Sequence, residues 1–179
     1  MSATVAIYCD WDHDIWSDDP SFADAIDDIT DYVKAWHPHR GLHKEFGNVI
    51  AGSLSLTLMN DTGRFSPPNA ASPLYGKLKI WRPVKVVASE DGSDWTLFRG
   101  FISSIRCHPH HNKQEATIRC SDGLDLIARH MLYLDKENRT ASSPGTAIGV
   151  LLDAVGWPAA WRDLDTTGGT PLKYPAVIL

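Results

Sequence analysis

The stretch Ser53-Leu54-Ser55-Leu56-Thr57-Leu58 decides the fold class, because its polar and apolar residues alternate strictly. A period of two places the three leucines on one side of an extended strand and the hydroxyl residues on the other. Such a strand covers a core with one face and meets solvent with the other, which is typical of an antiparallel sheet. The sequence therefore predicts a sheet with one buried face.

Further strands are expected on both sides of this stretch. Alternation or a β-rich composition predicts them over residues 4–9, 29–36, 78–89, 95–106 and 115–120. The Asp91-Gly92 step between two of these segments favours a tight hairpin turn. Six short strands joined by turns are typical of an antiparallel sheet that closes on itself. The sequence therefore predicts a mainly β protein, with an antiparallel β-barrel over residues 1–120.

Three local features interrupt the strand pattern. Pro83 cannot donate a ladder hydrogen bond, so its strand is expected at an edge or at a bulge. The adjacent apolar residues Phe101 and Ile102 break the alternation, which predicts a bulge near Gly100. Residues 107–114 are polar and are expected to form a turn.

The apolar spacing changes to a helical period after residue 120. Leu124, Ile127 and Met131 recur at three- and four-residue steps, which predicts an amphipathic helix. A second helix is expected to begin at Pro144 and to end before Gly156. Its apolar stripe consists of Ile148, Leu151, Leu152 and Val155. Residues 121–179 are therefore predicted to form a helical appendage, with one or two amphipathic helices and a strand-like tail.

That tail, residues 172–179, ends in four apolar residues. A lone domain rarely leaves such a run in water. We expect either that the tail pairs with a neighbouring chain or that the sequence is the front part of a longer protein.

Charge is distributed unevenly along the 179 residues. Residues 1–31 hold nine aspartates and no Lys or Arg, whereas the remaining 148 residues carry 13 acids and 17 bases. No dense basic stripe is present to replace phosphate counterions, so a protein that wraps nucleic acid is not expected. Neither a membrane span nor a signal peptide is expected, because long apolar runs are missing. The odd count of three cysteines argues against a disulfide framework.

Two clusters of possible metal ligands fall short of known patterns. The D-x-D-x-D sequence at 10–14 opens like a calcium loop, but Ile15 stands where the turn needs Gly and Ser21 where the loop needs Glu. The histidines at 37, 39 and 43, and the Cys107–His111 segment with Cys120, lack zinc-finger spacing. Surface aspartates and polar turns explain these residues better, so no metal and no cofactor are predicted.

No catalytic residue is predicted. Nucleophile-elbow, zinc-protease and phosphate-loop motifs are missing, and no pair of carboxylates stands out. The seven tryptophans could line a sugar site, because aromatic faces stack on sugars, but they are scattered along the chain. A carbohydrate- or receptor-binding module therefore stays open as an alternative function, and an enzyme such as a peptidoglycan hydrolase is a weaker one.

One long stretch is more specific than any catalytic motif. A strand that ends in Asn60-Asp-Thr-Gly-Arg-Phe-Ser-Pro67, followed by Asn69-Ala-Ala-Ser-Pro-Leu-Tyr75, resembles the N-terminal part of tail proteins from long-tailed phages and prophages. Arg82-Pro-Val-Lys-Val86 and Leu97-Phe-Arg-Gly-Phe-Ile102 resemble strands of baseplate hub domains in the same group. Asp122-Gly-Leu-Asp-Leu126 and Leu151–Pro158 extend the similarity over most of the chain.

The resemblance implies a β-barrel of the tail-tube or hub type. Such domains form a ring, most often of three chains, that continues the tail tube and seats the tip. The implied partners are other copies of the chain and other tail-tip proteins, namely distal tail, spike or fibre proteins. The implied location is the virion tail tip, after synthesis in the bacterial cytoplasm. The motif carries no catalytic residues.

Two sets of residues are candidates for roles in such a ring. The loop from Asn60 to Gly76 contains Arg64, Phe65, Leu74 and Tyr75, which could dock onto an adjacent subunit. Arg64 could pair with an acid across that contact, or Arg64 and Phe65 could lock their own turn. In the acidic N-terminal segment, Asp24, Asp27 and Asp28 could line a lumen and repel passing genomic DNA, or could form an outward solvated face.

Overall fold

A computed structural model describes residues 3–15, 20–39, 51–110, 113–129 and 143–154, together with positions 156, 159, 162 and 164. The chain divides into two compact units, Met1–Leu126 and Ile127–Leu179. Within the described residues, no helix is both long and apolar enough to cross a membrane. The strand-like tail at 172–179 lies outside the described residues.

The first unit is a six-stranded antiparallel sheet curled into a half-barrel, so the mainly β prediction is confirmed. The strands are β1 (Thr4–Cys9), β2 (Val33–His39), β3 (Ser53–Met59), β4 (Pro83–Glu90), β5 (Ser93–His110) and β6 (Lys113–Ser121). Their order across the sheet is β1-β4-β5-β6-β3-β2. β5 and β6 therefore lie in the middle, and β1 and β2 lie at the two ends.

The alternation in β3 places its three leucines in the core, as the sequence predicts. Leu54, Leu56 and Leu58 are 1%, 0% and 0% exposed. Opposite them on β6 lie Cys120, Ile118 and Ala116, which are also buried. Each buried leucine contributes about 1.5–3 kcal/mol through the apolar surface it removes from water. A slip of one residue would turn all of these side chains to solvent, so the register is fixed by the core.

The free edge of β1 is covered by residues that lead into β2. The N–H of Cys9 donates to the carbonyl of Asp27, and the N–H of Ile29 donates to the carbonyl of Ile7, at 2.9 and 3.0 Å. The hydroxyl oxygen of Thr30 accepts a bond from the N–H of Ile7 at 2.9 Å. A 3₁₀ helix, Thr30–Tyr32, then turns the chain into β2. We call residues 24–32 the seam, because they lie between the two ends of the sheet.

The hairpin between β4 and β5 has the predicted tight turn. Asp91 and Gly92 both have positive φ, of 51° and 79°, which is the conformation of a type I′ turn. Of the two positions predicted for Pro83, the edge is wrong, because its strand is interior. The β4–β5 pairing does contain a bulge, but between Val86 and Val87 and not at Pro83. Pro83 is the first residue of β4, where a missing N–H costs no ladder bond, and its carbonyl accepts from the N–H of Asp10.

Two bulges lie near Gly100, one on either side of it. The pairing skips Leu97 between β4 and β5, and it skips Ser103 between β5 and β6. Phe101 and Ile102 are both buried, because Phe101 faces away from the core and is covered by Trp81, with ring centroids 4.9 Å apart. The side chains of these two adjacent apolar residues thus lie on opposite faces of the strand.

Two strand boundaries differ from the prediction. Residues 107–110 and 113–114, expected as a turn, continue β5 and β6 as a long polar hairpin. Residues 78–82, expected as strand, lie outside β4. In the first case, pairing with a neighbouring strand compensates for weak local preference. In the second, Trp81 has a positive φ of 70°, so the chain is not regular strand there, although Trp81 and Arg82 still bond to the backbone of Ile102.

Two helices follow the sheet, α1 (Gly123–Arg129) and α2 (Pro144–Ala154). The Ser143 hydroxyl accepts a bond from the N–H of Thr146 at 3.3 Å and so caps α2. Gly156, at φ 74°, ends the helix and donates to the carbonyl of Asp153. Leu124 and Ile148, placed in the predicted apolar stripes, are 42% and 46% exposed. The amphipathic role of both helices therefore stays a prediction.

Candidate docking loop and acidic seam

The loop from Asn60 to Gly76 is a chain of linked turns. The N–H groups of Gly63, Ser66, Asn69, Ser72 and Tyr75 each donate to the carbonyl three residues earlier, at 2.9–3.1 Å. From the second turn onward, the residue whose carbonyl accepts the bond is the same residue whose N–H donates in the preceding turn, so the turns follow one another directly. A segment with this regular hydrogen bonding holds one shape, which explains how a loop with several prolines can still present defined side chains.

Two polar side chains connect successive turns. The Asn60 amide oxygen accepts a bond from the N–H of Phe65 at 2.8 Å, and its amide nitrogen donates to the Ser66 hydroxyl at 3.0 Å. The Ser72 hydroxyl donates to the carbonyl of Arg64 at 2.6 Å and accepts from the N–H of Leu74 at 3.1 Å. Asn60 and Ser72 are buried, 8% and 7% exposed. They belong to the motif Asn-Asp-x-Gly-Arg-Phe-Ser-Pro and its Asn-x-x-Ser-Pro extension.

Replacing Asn60 by alanine is expected to lower the free energy of unfolding by about 1–3 kcal/mol. The reason is that the buried N–H of Phe65 loses its acceptor. Urea unfolding measures the loss, and hydrogen exchange at the Phe65 amide locates it. Asn60→Asp keeps an acceptor oxygen and should lose less. Equal stability of the alanine and aspartate variants would contradict this role for the side chain.

Phe65 and Leu74 anchor the loop in the core of their own chain. Both side chains are 0% exposed. The Phe65 ring meets Tyr32 edge-on, with centroids 5.6 Å apart, and lies 6.4 Å from the Trp11 ring. The Cys107 thiol donates to the Phe65 carbonyl at 3.1 Å. These residues hold the loop in place, and they are not accessible to another subunit in this conformation.

Arg64 and Tyr75 have different surroundings. The Arg64 guanidinium carbon lies 4.7 Å above the centre of the Tyr32 ring, a cation–π contact within the chain. This contact holds Arg64 against the 3₁₀ helix of its own chain. Tyr75 is 57% exposed. Of the four residues predicted to dock a neighbour, Tyr75 is the one whose side chain lies mainly in solvent, and the docking role itself stays a prediction.

The three acids predicted to line a lumen do not share one environment. Asp24 and Asp28 are exposed, whereas Asp27 is 3% exposed. The Asp27 carboxylate accepts bonds from the N–H of Asp24 at 3.2 Å and of Trp11 at 3.5 Å. Burial raises the pKa of Asp27 above its ordinary value, with backbone hydrogen bonds opposing the shift. Asp27 is thus a structural acid inside the seam, and the lumen hypothesis rests on Asp24 and Asp28.

Asp10 is a second buried acid, and sequence analysis missed it by assigning the D-x-D-x-D residues to the surface. Its side chain is 1% exposed and accepts from the N–H groups of Asp12 and His13, at 3.0 and 2.9 Å. The His13 ring nitrogen Nδ1 lies 2.9 Å from its other oxygen. The signal in the sequence was the position of Asp10 directly after β1, where an aspartate can cap the turn that follows.

Asp12 forms an ion pair with Lys77, at 2.8 Å. The hydrogen bond from Lys77 lowers the pKa of Asp12, and burial opposes the shift. This pair ties the segment after β1 to the end of the loop. Because both groups are partly exposed, the pair contributes less than about 1 kcal/mol.

Replacing Lys77 by methionine is expected to raise the pKa of Asp12 towards its ordinary value. A carboxyl whose pKa is lowered on folding adds stability above its unfolded pKa, of about 3.9, and loses it as the pH falls through the folded value. The stability difference between the two proteins should therefore be present at neutral pH and vanish at about pH 2. NMR titration of Asp12 and urea unfolding at both pH values measure it. Lys79→Met, at an exposed position in the same region, is the control, and an unchanged Asp12 titration in Lys77→Met would contradict the assignment.

A shallow polar cleft of about 300 Å³ borders the loop. Its lining includes Asp61, Ser66, Cys107, His108 and Gln114. The Cys107 thiol donates to the Phe65 carbonyl, and the His108 Nε2 lies 3.4 Å from the Thr117 hydroxyl. Cys107 and His108 therefore contact protein groups and not each other. In the part of the chain that the structure describes, no three His, Cys, Asp or Glu side chains come together as metal ligands. His43 and His111, from the predicted histidine clusters, lie outside that part.

No protein-family model matches the chain, and no curated protein matches its sequence at a significant level. The class that the fold defines is therefore a mainly β protein with a curled antiparallel sheet.

Proposed function

We propose that this protein is a structural subunit of a bacteriophage tail tip, where copies of the chain form a ring that continues the tail tube. The observation that carries the proposal is the construction of the Asn60–Gly76 loop. The motif residues that resemble phage tail proteins are the ones that build this loop: Asn60 and Ser72 link its turns, and Phe65 and Leu74 anchor it. A fixed loop on a curled sheet suits a protein whose task is assembly.

The proposed partners are those expected of a ring subunit at the tail tip. Copies of the chain, most simply three, would form the ring, and distal tail, spike or fibre proteins would bind above and below it. Genomic DNA would pass through the lumen without specific binding. The curled sheet and the exposed Tyr75 at the end of the loop are compatible with contacts to neighbours on the rim of such a ring.

Native mass spectrometry of the purified chain tests the ring. A metal-free trimer or larger ring is the expected result. A monomer at every concentration would contradict assembly from this chain alone, and a monomer with one bound zinc would contradict the assignment of the histidines. Immuno-electron microscopy of phage particles that carry the protein tests the location, since label anywhere other than the tail tip would contradict it.

A carbohydrate- or receptor-binding module at the same tip is the second candidate. The observation that favours it is Trp95, which is 63% exposed, whereas the described residues Trp11, Trp36 and Trp81 are buried or half-buried. Exposed tryptophans stack on sugar faces. Quenching of tryptophan fluorescence by a bacterial surface glycan, lost in Trp95→Ala, would support this function. An unchanged spectrum across a glycan panel would contradict it.

A further inference from the structure

The hairpin between β4 and β5 is an exposed projection that carries negative charge. Residues 90–96, which we call the acidic hairpin, are all exposed. They contain no Lys or Arg and three carboxylates, those of Glu90, Asp91 and Asp94. The Trp95 side chain is 63% exposed. Because the tip is a type I′ turn with two positive φ values, the hairpin holds one shape and presents these side chains in fixed positions.

The carboxylates at the tip of the acidic hairpin are available to a partner. Within the described residues, Glu90 and Asp91 form no ion pair and no side-chain hydrogen bond. Asp94 is the exception, because its carboxylate accepts a bond from the Ser89 hydroxyl at 2.5 Å. Two exposed carboxylates on a fixed turn suit a cationic group on another surface.

The Asn60–Gly76 loop presents a cation. The Arg64 guanidinium lies against the Tyr32 ring. Within the described chain it forms no ion pair, including with Asp31 and Asp61, the acids nearest to these two residues in sequence. Of its three nitrogens, Nε alone is both buried and without a partner, so Nη1 and Nη2 reach solvent. A planar guanidinium that is already held on a ring loses little further freedom when it binds a carboxylate.

Tyr75 is held on the same loop. Its side chain is 57% exposed. Ser72 connects it to Arg64, because the Ser72 hydroxyl donates to the Arg64 carbonyl at 2.6 Å and the Ser72 carbonyl accepts from the N–H of Tyr75 at 3.0 Å. The loop therefore carries a cation and an exposed aromatic ring, and the acidic hairpin carries carboxylates and an exposed aromatic ring. Guanidinium with carboxylate, and ring with ring, are favourable pairs.

The acidic hairpin and the loop lie at opposite ends of β5. The hairpin includes Ser93, the first residue of the strand, whereas the loop reaches Cys107, whose thiol donates to the Phe65 carbonyl. The strand from Ser93 to Cys107 spans about 45 Å, at about 3.3 Å per residue. The two surfaces of one copy therefore do not meet each other, but each can meet its counterpart on a second copy.

We propose that the acidic hairpin of one copy binds the Asn60–Gly76 loop of the next copy. In this contact Arg64 binds a carboxylate at the hairpin tip, and Tyr75 packs against Trp95. The inference rests on the proposed ring and names the contact that would build it. A contact between two different surfaces propagates from copy to copy and closes into a ring when the rotation allows it. Arginine and large aromatic side chains are the residues that most often dominate the energy of such a contact.

Charge exchange in the full chain tests the contact. Arg64→Glu and Glu90→Lys are each expected to weaken self-association at least about 30-fold in sedimentation velocity, because like charges then face each other. The combined variant exchanges the two charges and keeps the original net charge, so it should assemble again. Trp95→Ala should weaken self-association by about the same factor, roughly 30-fold. Lys79→Glu changes an exposed cation outside both surfaces and should assemble as the wild type does.

A zero-length cross-link locates the contact. A carbodiimide joins a lysine amine to a carboxylate that touches it, so in Arg64→Lys it is expected to link position 64 to position 90 or 91. Such a link joins two copies, because the two positions lie at opposite ends of β5 in one chain. A mixture of ¹⁵N-labelled and unlabelled chains shows this directly in the mass of the linked peptides. An assembled sample without this link would overturn the contact.

The remaining outcomes separate the contact from the ring and from other uses of the hairpin. Circular dichroism and thermal unfolding check that each variant folds. If the wild type assembles and Glu90→Lys and Trp95→Ala assemble equally well, the contact is wrong while the ring stands. If the wild type is monomeric under all conditions, the ring and the contact both fail. If Trp95→Ala assembles normally but loses the fluorescence response to a glycan, the hairpin binds a sugar and the proposal is overturned.

Discussion

Replacing Phe65 by alanine is expected to lower the free energy of unfolding by about 3–5 kcal/mol. The ring is 0% exposed and belongs to the core, in which it meets Tyr32 edge-on. Its removal leaves a cavity that the surrounding strands can fill only in part, because their register is fixed by paired backbone bonds. The loss also removes the anchor of the Asn60–Gly76 loop, so the loop should become mobile.

Urea unfolding of the full chain measures the change, and hydrogen exchange over residues 60–76 shows whether the loop is released. The matched control is Tyr75→Ala in the same loop, whose 57% exposed ring should contribute less than about 0.5 kcal/mol. A loss below about 1 kcal/mol in Phe65→Ala would show that the ring is not a core residue, since large core truncations cost several times more. Self-association of Tyr75→Ala tests, in the same preparation, whether this side chain meets a neighbour.

Replacing Gly100 by alanine is the second change with a large expected effect. A methyl group at this position would overlap the backbone carbonyl oxygen of Ser121 and would lie 2.9 Å from the Phe98 ring. A backbone oxygen in a paired strand cannot move without breaking ladder bonds between β5 and β6. The substitution should therefore lower the free energy of unfolding by about 3 kcal/mol, at the upper end for overpacking.

Gly92→Ala separates this clash from the general effect of losing a glycine. Gly92 has a φ of 79° and no atom within 4 Å of the added group, so its substitution costs only the strain of a left-handed conformation, about 1 kcal/mol. Thermal unfolding of both variants gives the comparison. Equal losses in the two would contradict the close approach of β5 and β6 at Gly100.

The regular parts of the sheet could be predicted because their information is local. The alternation in residues 53–58 fixes both the strand and its buried face, and the same holds for β6. Asp91-Gly92 predicts its turn, because few residues tolerate two successive positive φ values. Each of these predictions depends on neighbours in sequence, and tertiary contacts did not need to be known.

Other parts depend on distant residues and could not be predicted. Residues 29–32 have strand composition, yet Thr30 starts a 3₁₀ helix because its hydroxyl accepts a bond from Ile7, 23 residues away. The sequence predicts Pro83 at an edge or at a bulge, because nothing near it in sequence shows that β1 and β5 flank its strand. Strand order is set by long-range pairing, which local composition does not record.

The candidate site was predicted at the level of the segment but not of the side chain. Apolar residues inside a proline-rich loop indicated that the loop packs against something, and Phe65 and Leu74 do lie in the core. To decide whether these side chains pack inside the chain or dock onto a neighbour, the exposed fraction of each side chain must be known. The acids Asp10 and Asp27 could not be predicted as buried for a similar reason. Their carboxylates accept bonds from backbone N–H groups, but in the sequence such an aspartate cannot be distinguished from a solvent-exposed one.

The reactivity of the buried thiols can report the unfolding of the half-barrel. Cys9 on β1 and Cys120 on β6 are free, 0% and 2% exposed, and burial raises the pKa of both. A thiol reagent reacts with the thiolate and needs access, so it can reach these two sulfurs only when the sheet opens. Cys107, which is half-buried, should react sooner than Cys9 and Cys120. The interval between fast and slow labelling would therefore time the opening of the core, with no probe attached to the chain.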